Sequence, residues 1–109
     1  MFGAGVVGRL RWSGMETSDA IRAIVREASR SLVLRRAVLF GSRARGDART
    51  ASDIDLAFEH DSTDAEWAAF VNRMSDEAPT LLPLDLVDLG KVDAALRERI
   101  VREGVRVDG

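Results

Sequence analysis

Two aspartates in the middle of the chain have the spacing of a metal site. Asp53 and Asp55 stand one residue apart, in a segment where polar or small residues alternate with bulky apolar ones. Because successive side chains of a β-strand point to opposite faces, both carboxylates would project from one face, about 7 Å apart. Like charges held so close repel each other, and a divalent cation with oxygen ligands relieves that repulsion. The pattern predicts Mg²⁺, which takes one or two carboxylates together with phosphate oxygens of a substrate.

A third aspartate, Asp85, lies in the short apolar segment 84–89, which favours a strand. Alternation places Asp85 and Asp88 on opposite faces, so only one of them can join Asp53 and Asp55. We choose Asp85, because Asp88 falls near the strand end and could cap the following helix. A second metal ion about 3.5–4 Å from the first would let Asp85 help to activate an attacking hydroxyl while the other ion supports a leaving phosphate. The alternative interpretation is that these are solvated aspartates at a strand edge.

The pair Gly41-Ser42 ends an apolar run and is followed by a polar loop. Glycine lets the backbone approach a phosphate closely, and a serine hydroxyl and exposed amides can donate hydrogen bonds to its oxygens. The loop also contains Arg43, Arg45 and Arg49, whose guanidinium groups suit phosphate oxygens. We predict that Arg43 is the phosphate ligand, because it adjoins the serine. Taken alone, the glycine-serine pair would indicate only a turn.

The elements that must position these residues follow one another along the chain. A one-sided apolar stripe after a cap at residues 17–19 predicts a first helix, and later stripes predict helices over 62–77 and from about Val92 to Gly104. Apolar runs and alternating patterns predict strands over 37–40, 53–58 and 84–89, with a short last strand at Val105 to Val107. This order predicts an α/β (α+β) domain, a small mixed sheet with helices packed on it.

Length and composition limit what else the chain can be. With 109 residues it has room for one domain, since domains typically contain about 100–150 residues. Met15 precedes the first helix, so we expect residues 1–14, with four glycines, to be an N-terminal extension and residues 15–109 to be the domain. The chain has no cysteine, which excludes a disulfide, a thiolate zinc site and a cysteine nucleophile. It has no apolar run of about 18 residues and no secretory signal pattern, so we expect a cytoplasmic protein without a membrane span.

The charge is divided unevenly between the two halves of the chain. Residues 1–52 carry 10 arginines and 4 acidic residues, whereas residues 53–109 carry 6 basic and 14 acidic residues. The isoelectric point near 5.4 argues against broad binding of nucleic acid. An acidic half beside an arginine-bearing half suits metal cations next to a polyphosphate, although differing solvated faces would give the same asymmetry.

Several other conspicuous residues are given structural interpretations. His60, the only histidine, follows the second strand and is predicted to lie at the surface. Trp67 and Phe70 have helical spacing, which favours packing in the core over a platform for stacking bases. The pair Arg35 and Arg36 is predicted to be solvated.

Together these motifs resemble those of a known superfamily. The segment GSRARGDARTASDIDL, with ten residues between Gly41-Ser42 and Asp53-x-Asp55, resembles the signature of the DNA polymerase beta-like nucleotidyltransferases. The small size and the segment LPLDLVDL resemble its minimal members, the MNT-type antitoxins. The resemblance covers roughly residues 17–109 and implies the minimal nucleotidyltransferase fold. It also implies that Gly41 and Ser42 bind the triphosphate, that Asp53 and Asp55 hold two Mg²⁺ ions, and that Asp85 is the third carboxylate.

The resemblance implies a function as well. Minimal members are commonly encoded beside a HEPN-type RNase toxin, which the antitoxin neutralises by transferring AMP from ATP to a toxin tyrosine. Two alternatives stay open at this point. The chain could bind a nucleoside triphosphate and mask a toxin sterically without catalysis, or it could modify a small molecule, although such enzymes usually need an added substrate domain.

Overall fold

The computed structural model describes residues 16–49 and 52–108. Helix α1 (Thr17–Ser31) opens the described chain, and its apolar stripe is buried along its length. The cap position is Glu16, and its side chain makes no capping hydrogen bond. The predicted cap among residues 17–19 is therefore wrong, because the helix already begins at Thr17. The predicted extension over residues 1–14 lies outside the described residues.

Four strands and three further helices follow α1. In chain order they are β1 (Leu34–Phe40), α2 (Gly41–Arg45), β2 (Ile54–His60), α3 (Asp64–Glu77), β3 (Leu84–Asp88), α4 (Ala94–Glu103) and β4 (Val105–Arg106). The strands form one sheet in the order β3-β2-β1-β4. β1 is antiparallel to both β2 and β4, whereas β2 and β3 are parallel and are connected through α3. The predicted mixed sheet with packed helices is confirmed.

The alternation predicted for β2 decides which side of the sheet is core. Ile54, Leu56 and Phe58 are completely buried and pack in one cluster with α1 and α3. Ala57 points to the other face, where α4 contributes Ile100 to a second, smaller cluster. One face of the sheet is therefore the main core, and the other face carries α4 and the side chain of Asp55.

Aromatic packing fixes α3 against the sheet. The ring of Phe58 lies 5.7 Å from the ring of Trp67 and 5.5 Å from the ring of Phe70, measured between centroids. Edge and tilted contacts of this kind stabilise a core beyond the area that they bury. A capping box begins the helix, in which Thr63 and Glu66 accept each other's backbone N–H groups. The prediction that Trp67 and Phe70 belong to the core is confirmed.

His60 is buried, so its predicted surface position is wrong. Its side chain is 3% exposed, its Nε2 lies 3.0 Å from Oδ2 of Asp88, and its ring stacks on Trp67 with centroids 5.2 Å apart. The reason is that β2 continues to residue 60, where α3 covers the strand. The backbone N–H of Ser62 donates to Nδ1. The structure thus gives the histidine both a packing partner and polar partners.

Asp88 and the arginine pair also differ from their predicted positions. Asp88 is buried against His60 and accepts a hydrogen bond from the N–H of Gly90, whereas the cap of α4 is Asp93. Arg36 is half-buried beside Glu59, at 3.1 Å, and only Arg35 is solvated as predicted. The position of Arg36 differs because β1 begins at Leu34, earlier than the sequence pattern predicted. No helix in the described ranges is long and apolar enough to cross a lipid bilayer.

Candidate active site

The sheet register brings two of the predicted acids side by side. Asp55 of β2 is the direct partner of Asp85 of β3 in the parallel ladder. Neighbouring strands lie about 4.8 Å apart, so the two side chains leave the same face as close neighbours. Asp53 precedes the first residue of β2 and is exposed. The choice of Asp85 over Asp88 agrees with this arrangement, because Asp88 faces the main core.

Burial and several neighbouring charges act on the carboxyl group of Asp55. Burial raises the pKa of the Asp55 carboxyl above its ordinary value, and the negative charges of Asp85 and then Asp53 raise it further. The positive charges of Arg45 and Arg43 act in the opposite direction and lower it. The structure thus holds repelling carboxylates together on one face of the sheet.

These donors suit a hard divalent cation in an open site. Carboxylate oxygens are preferred ligands of Mg²⁺, which usually completes its shell with water and substrate phosphates. Within residues 16–49 and 52–108, no three acidic or histidine side chains form a ready-made metal cluster. Carboxylates such as those of Asp53, Asp55 and Asp85 are of the ligand type that Mg²⁺ takes, and their role as metal ligands stays a prediction.

Gly41 forms the wall of the site next to Asp55. Phe40 is paired with Asp55 in the antiparallel ladder, so the chain turns into α2 directly beside the carboxylate. Gly41 has φ +74°, in the left-handed region, and a Cβ there would collide with Oδ2 of Asp55. Ser42 follows in the first turn of α2, a short helix within the segment predicted to be a loop. The structure therefore brings Gly41, Ser42 and the acids together.

The side chain of Arg43 faces the main chain that leads into β2. Its Nη2 donates to the carbonyl oxygen of Ser52 at 2.8 Å, and its Nε donates to that of Asp53 at 3.3 Å. Arg45 is exposed and lies 3.4 Å from a carboxylate oxygen of Asp47. The assignment of Arg43 as a phosphate ligand stays a prediction. Its hydrogen bonds to the two main-chain carbonyls are contacts that the sequence did not reveal.

Comparison with known proteins identifies the family. Residues 22–107 match the model of the family described as polymerase beta, nucleotidyltransferase. The chain belongs to this nucleotidyltransferase family. The match includes the glycine-serine turn, all three aspartates and every strand, so the resemblance stated from the motifs is confirmed.

Solved structures share the fold of this nucleotidyltransferase. A minimal nucleotidyltransferase is 30% identical, with a TM-score of 0.68 over 87% of this chain and 99% of that one. A nucleotidyltransferase from Sulfolobus solfataricus is 23% identical, with a TM-score of 0.55 over 97% of this chain and 90% of that one. A toxin-antitoxin structure with AMP-PNP is 21% identical, with a TM-score of 0.64 over 84% and 72% of the two chains. No curated protein sequence matches the chain.

Two cavities lie near the strands that carry the acids of the nucleotidyltransferase domain. A groove of about 560 Å³ runs between the end of α3 and β3, and Asp85 and the 75% exposed Leu81 line it. A smaller cavity of about 250 Å³ lies between α2 and α4, where Gly41, Arg45 and Arg99 line it. The groove lies on the α3 side of the sheet, whereas the smaller cavity lies on the face from which the side chain of Asp55 projects.

Proposed function

We propose that this chain is a Mg²⁺-dependent nucleotidyltransferase that transfers AMP from ATP to a hydroxyl group of a protein partner. The observation that carries the proposal is the meeting of Asp53, Asp55 and Asp85 beside Gly41, with the pKa of Asp55 raised by burial and by its two acidic neighbours. Repulsion between such carboxylates destabilises the site unless cations compensate their negative charge. Membership of the nucleotidyltransferase family supports nucleotidyl transfer as the reaction that would use those cations. We therefore propose metal binding as the role of these acids, in place of the alternative that they are solvated aspartates at a strand edge.

The chain's residues would position an in-line displacement. Gly41 and Ser42 would hold the triphosphate, and Asp53 and Asp55 would hold the metal ions, which would supply positive charge to the phosphate oxygens. The acceptor hydroxyl attacks the α-phosphorus, so a new P–O bond forms while the bond to the β-phosphate oxygen breaks and pyrophosphate leaves. A carboxylate oxygen of Asp85 takes the hydroxyl proton. Positioning of the reactants supplies a large part of the rate enhancement in this scheme.

We further propose that the acceptor is a tyrosine of a HEPN-type RNase toxin, and that the chain is its antitoxin in the cytoplasm. Two observations support a protein acceptor. Structures of the toxin-antitoxin MntA-HpeT and of a toxin-antitoxin with AMP-PNP have the same fold. The cavity of about 250 Å³ between α2 and α4 also lies on the face of the sheet that carries Asp55, where a side chain of a partner would have to approach.

The decisive experiment follows the label of the α-phosphate. The chain is incubated with ATP labelled at that phosphate, Mg²⁺ and the candidate toxin, and covalent label on the toxin is measured. We expect label with the parent chain, loss of label in EDTA and its return with added Mg²⁺. The double variant Asp53→Asn with Asp55→Asn should abolish transfer while circular dichroism shows an intact fold. The variant Asp61→Asn, which removes an exposed acid elsewhere, is the control and should transfer normally.

The alternatives give different results in the same assay. Neutralisation of the toxin without label would indicate steric masking by a nucleotide-binding module. Label on a small molecule and none on protein would indicate a small-molecule nucleotidyltransferase. Transfer at the parent rate by the double variant would show that the metal assignment is wrong.

A further inference from the structure

The three acids of the candidate site are not positioned in the same way. Asp55 and Asp85 lie within strands and are fixed by the register of the sheet, where they are direct partners. Asp53 precedes β2, and the pairing of β1 with β2 reaches only from residue 60 to Asp55. The only ladder-like bond next to Asp53 runs from the N–H of Ile54 to the carbonyl oxygen of Pro83, within the described residues. Asp53 therefore needs a support that the sheet does not supply.

Arg43 supplies a support of this kind. It belongs to α2, immediately after the glycine-serine turn, and its guanidinium donates to the carbonyl oxygens of both Ser52 and Asp53. A planar guanidinium presents several N–H groups in a fixed geometry, so that one side chain can hold two adjacent carbonyls. Ser52 is in turn joined to Arg49 by two hydrogen bonds, one through its N–H and one through its Oγ. The main chain that leads into Asp53 is thereby tied to α2.

We propose that Arg43 is a positioning residue, which holds the backbone of Asp53 at the distance from Gly41 and Ser42 that metal and triphosphate require. This inference rests on the proposed function and adds to it a residue that acts through Asp53 rather than through the phosphate. It also gives a physical reason for the position of an arginine directly after Gly41-Ser42. The residue that follows the glycine-serine turn reaches across the loop and fixes the first aspartate.

A positioning residue and a phosphate ligand affect different kinetic and binding constants when they are removed. Loss of a phosphate ligand weakens the binding of ATP and raises KM. Loss of a positioning residue leaves the triphosphate contacts in place but misplaces one metal ligand, so it lowers kcat and metal affinity. Partners that orient metal ligands typically change metal affinity or activity by about 10–100-fold when they are removed.

Two variants of Arg43 separate charge from geometry. Arg43→Ala removes both the positive charge near Asp55 and the hydrogen bonds. Arg43→Lys keeps the charge, but a single ammonium cannot reproduce the planar arrangement of two guanidinium donors. Arg22→Ala is the matched control, since Arg22 is an exposed arginine of α1, which packs on the opposite face of the sheet.

The first measurement does not depend on catalysis. Mn²⁺, which suits the same oxygen ligands, is titrated into the ATP-free chain, and line broadening of the backbone amides of residues 53 and 55 gives its apparent Kd. We expect the Kd to rise by about 10–100-fold in Arg43→Ala and nearly as much in Arg43→Lys, and to stay unchanged in Arg22→Ala. An unchanged Kd in both Arg43 variants would overturn the proposal, whether or not the parent chain transfers AMP.

The second measurement separates kcat from KM for ATP at saturating Mg²⁺. We expect kcat to fall about ten-fold or more in both Arg43 variants while KM changes less than three-fold. A ten-fold rise of KM with unchanged kcat would identify Arg43 as a phosphate ligand instead. If the parent chain binds Mn²⁺ but transfers no AMP, the proposed function fails while the titration still decides the role of Arg43.

Discussion

The repulsion between Asp55 and Asp85 gives a prediction about stability that needs no substrate. The two residues are paired in register on neighbouring strands, about 4.8 Å apart. At that separation two unit charges repel by about 1 kcal/mol in bulk water and by about 3 kcal/mol at an effective dielectric of 20. Because Asp85 is exposed and Asp55 is only partly buried, we expect a value near the lower limit, since solvent screens such pairs. Asp85→Asn should therefore raise the free energy of unfolding of the metal-free chain by about 1 kcal/mol at pH 7.

The direction of the pH dependence follows from the raised pKa of Asp55. Its carboxyl releases a proton less readily in the folded chain than in the unfolded chain. Its contribution to stability is therefore fully present below the ordinary aspartate pKa and is lost as the pH rises through the raised value. Substitution of Asp85 removes one cause of the raised pKa, so the gain should be largest at neutral pH and small at pH 3.

Urea denaturation of the parent chain, Asp85→Asn and the control Asp61→Asn tests this reasoning. Asp61 is an exposed acid 3.6 Å from Arg35, and its substitution should change the free energy of unfolding by less than about 0.5 kcal/mol. A gain of about 1 kcal/mol corresponds to a rise in Tm of roughly 4–8 °C for a domain of this size. The gain should shrink in 1 M salt, where the Debye length is about 3 Å. A loss of stability in Asp85→Asn, or a gain equal to that of the control, would refute the proximity of the acids.

Two further predictions concern residues that surround the site. Gly41→Ala should abolish nucleotidyl transfer and destabilise the chain more than Gly46→Ala, because both glycines have positive φ but only at Gly41 does a Cβ meet the carboxylate of Asp55. Equal losses in the two variants, measured by thermal unfolding, would contradict that contact. His60→Ala should lower the free energy of unfolding by about 2–4 kcal/mol, because it removes a buried ring and leaves the Asp88 carboxylate without its imidazole partner. A variant that unfolds at the parent urea concentration would show that the buried pair contributes nothing.

The sequence predicted those features that depend on periodicity. Alternation in β2 predicts the outward face of Asp55, and alternation in β3 predicts that only one of Asp85 and Asp88 lies beside it. The choice of Asp85 rested on a capping role for Asp88, which in the structure belongs to Asp93. Helical stripes predict the core positions of Trp67 and Phe70. Each of these inferences uses only the local geometry of one element, which the residue pattern determines directly.

Other features depend on contacts between distant parts of the chain, and the sequence did not reveal them. His60 meets Asp88, 28 residues away, only because β2 extends past its alternating segment and α3 covers it. Arg43 meets the carbonyl of Asp53 only after the intervening loop has closed. A polar residue at the end of an apolar strand is a signal of such burial, but the partner that satisfies it becomes visible only in three dimensions.

The antiparallel pairing of β1 with β2 has a consequence for how tightly the motif is constrained. Because Phe40 faces Asp55 across the ladder, the end of one strand and the start of the next are neighbours whatever the length of chain between them. The ladder therefore sets where Asp55 stands beside Gly41, whereas the place of Asp53 depends also on the hydrogen bonds of Arg43 to Ser52 and Asp53. A change in the length of the loop would therefore leave Asp55 in place and would displace Asp53 first.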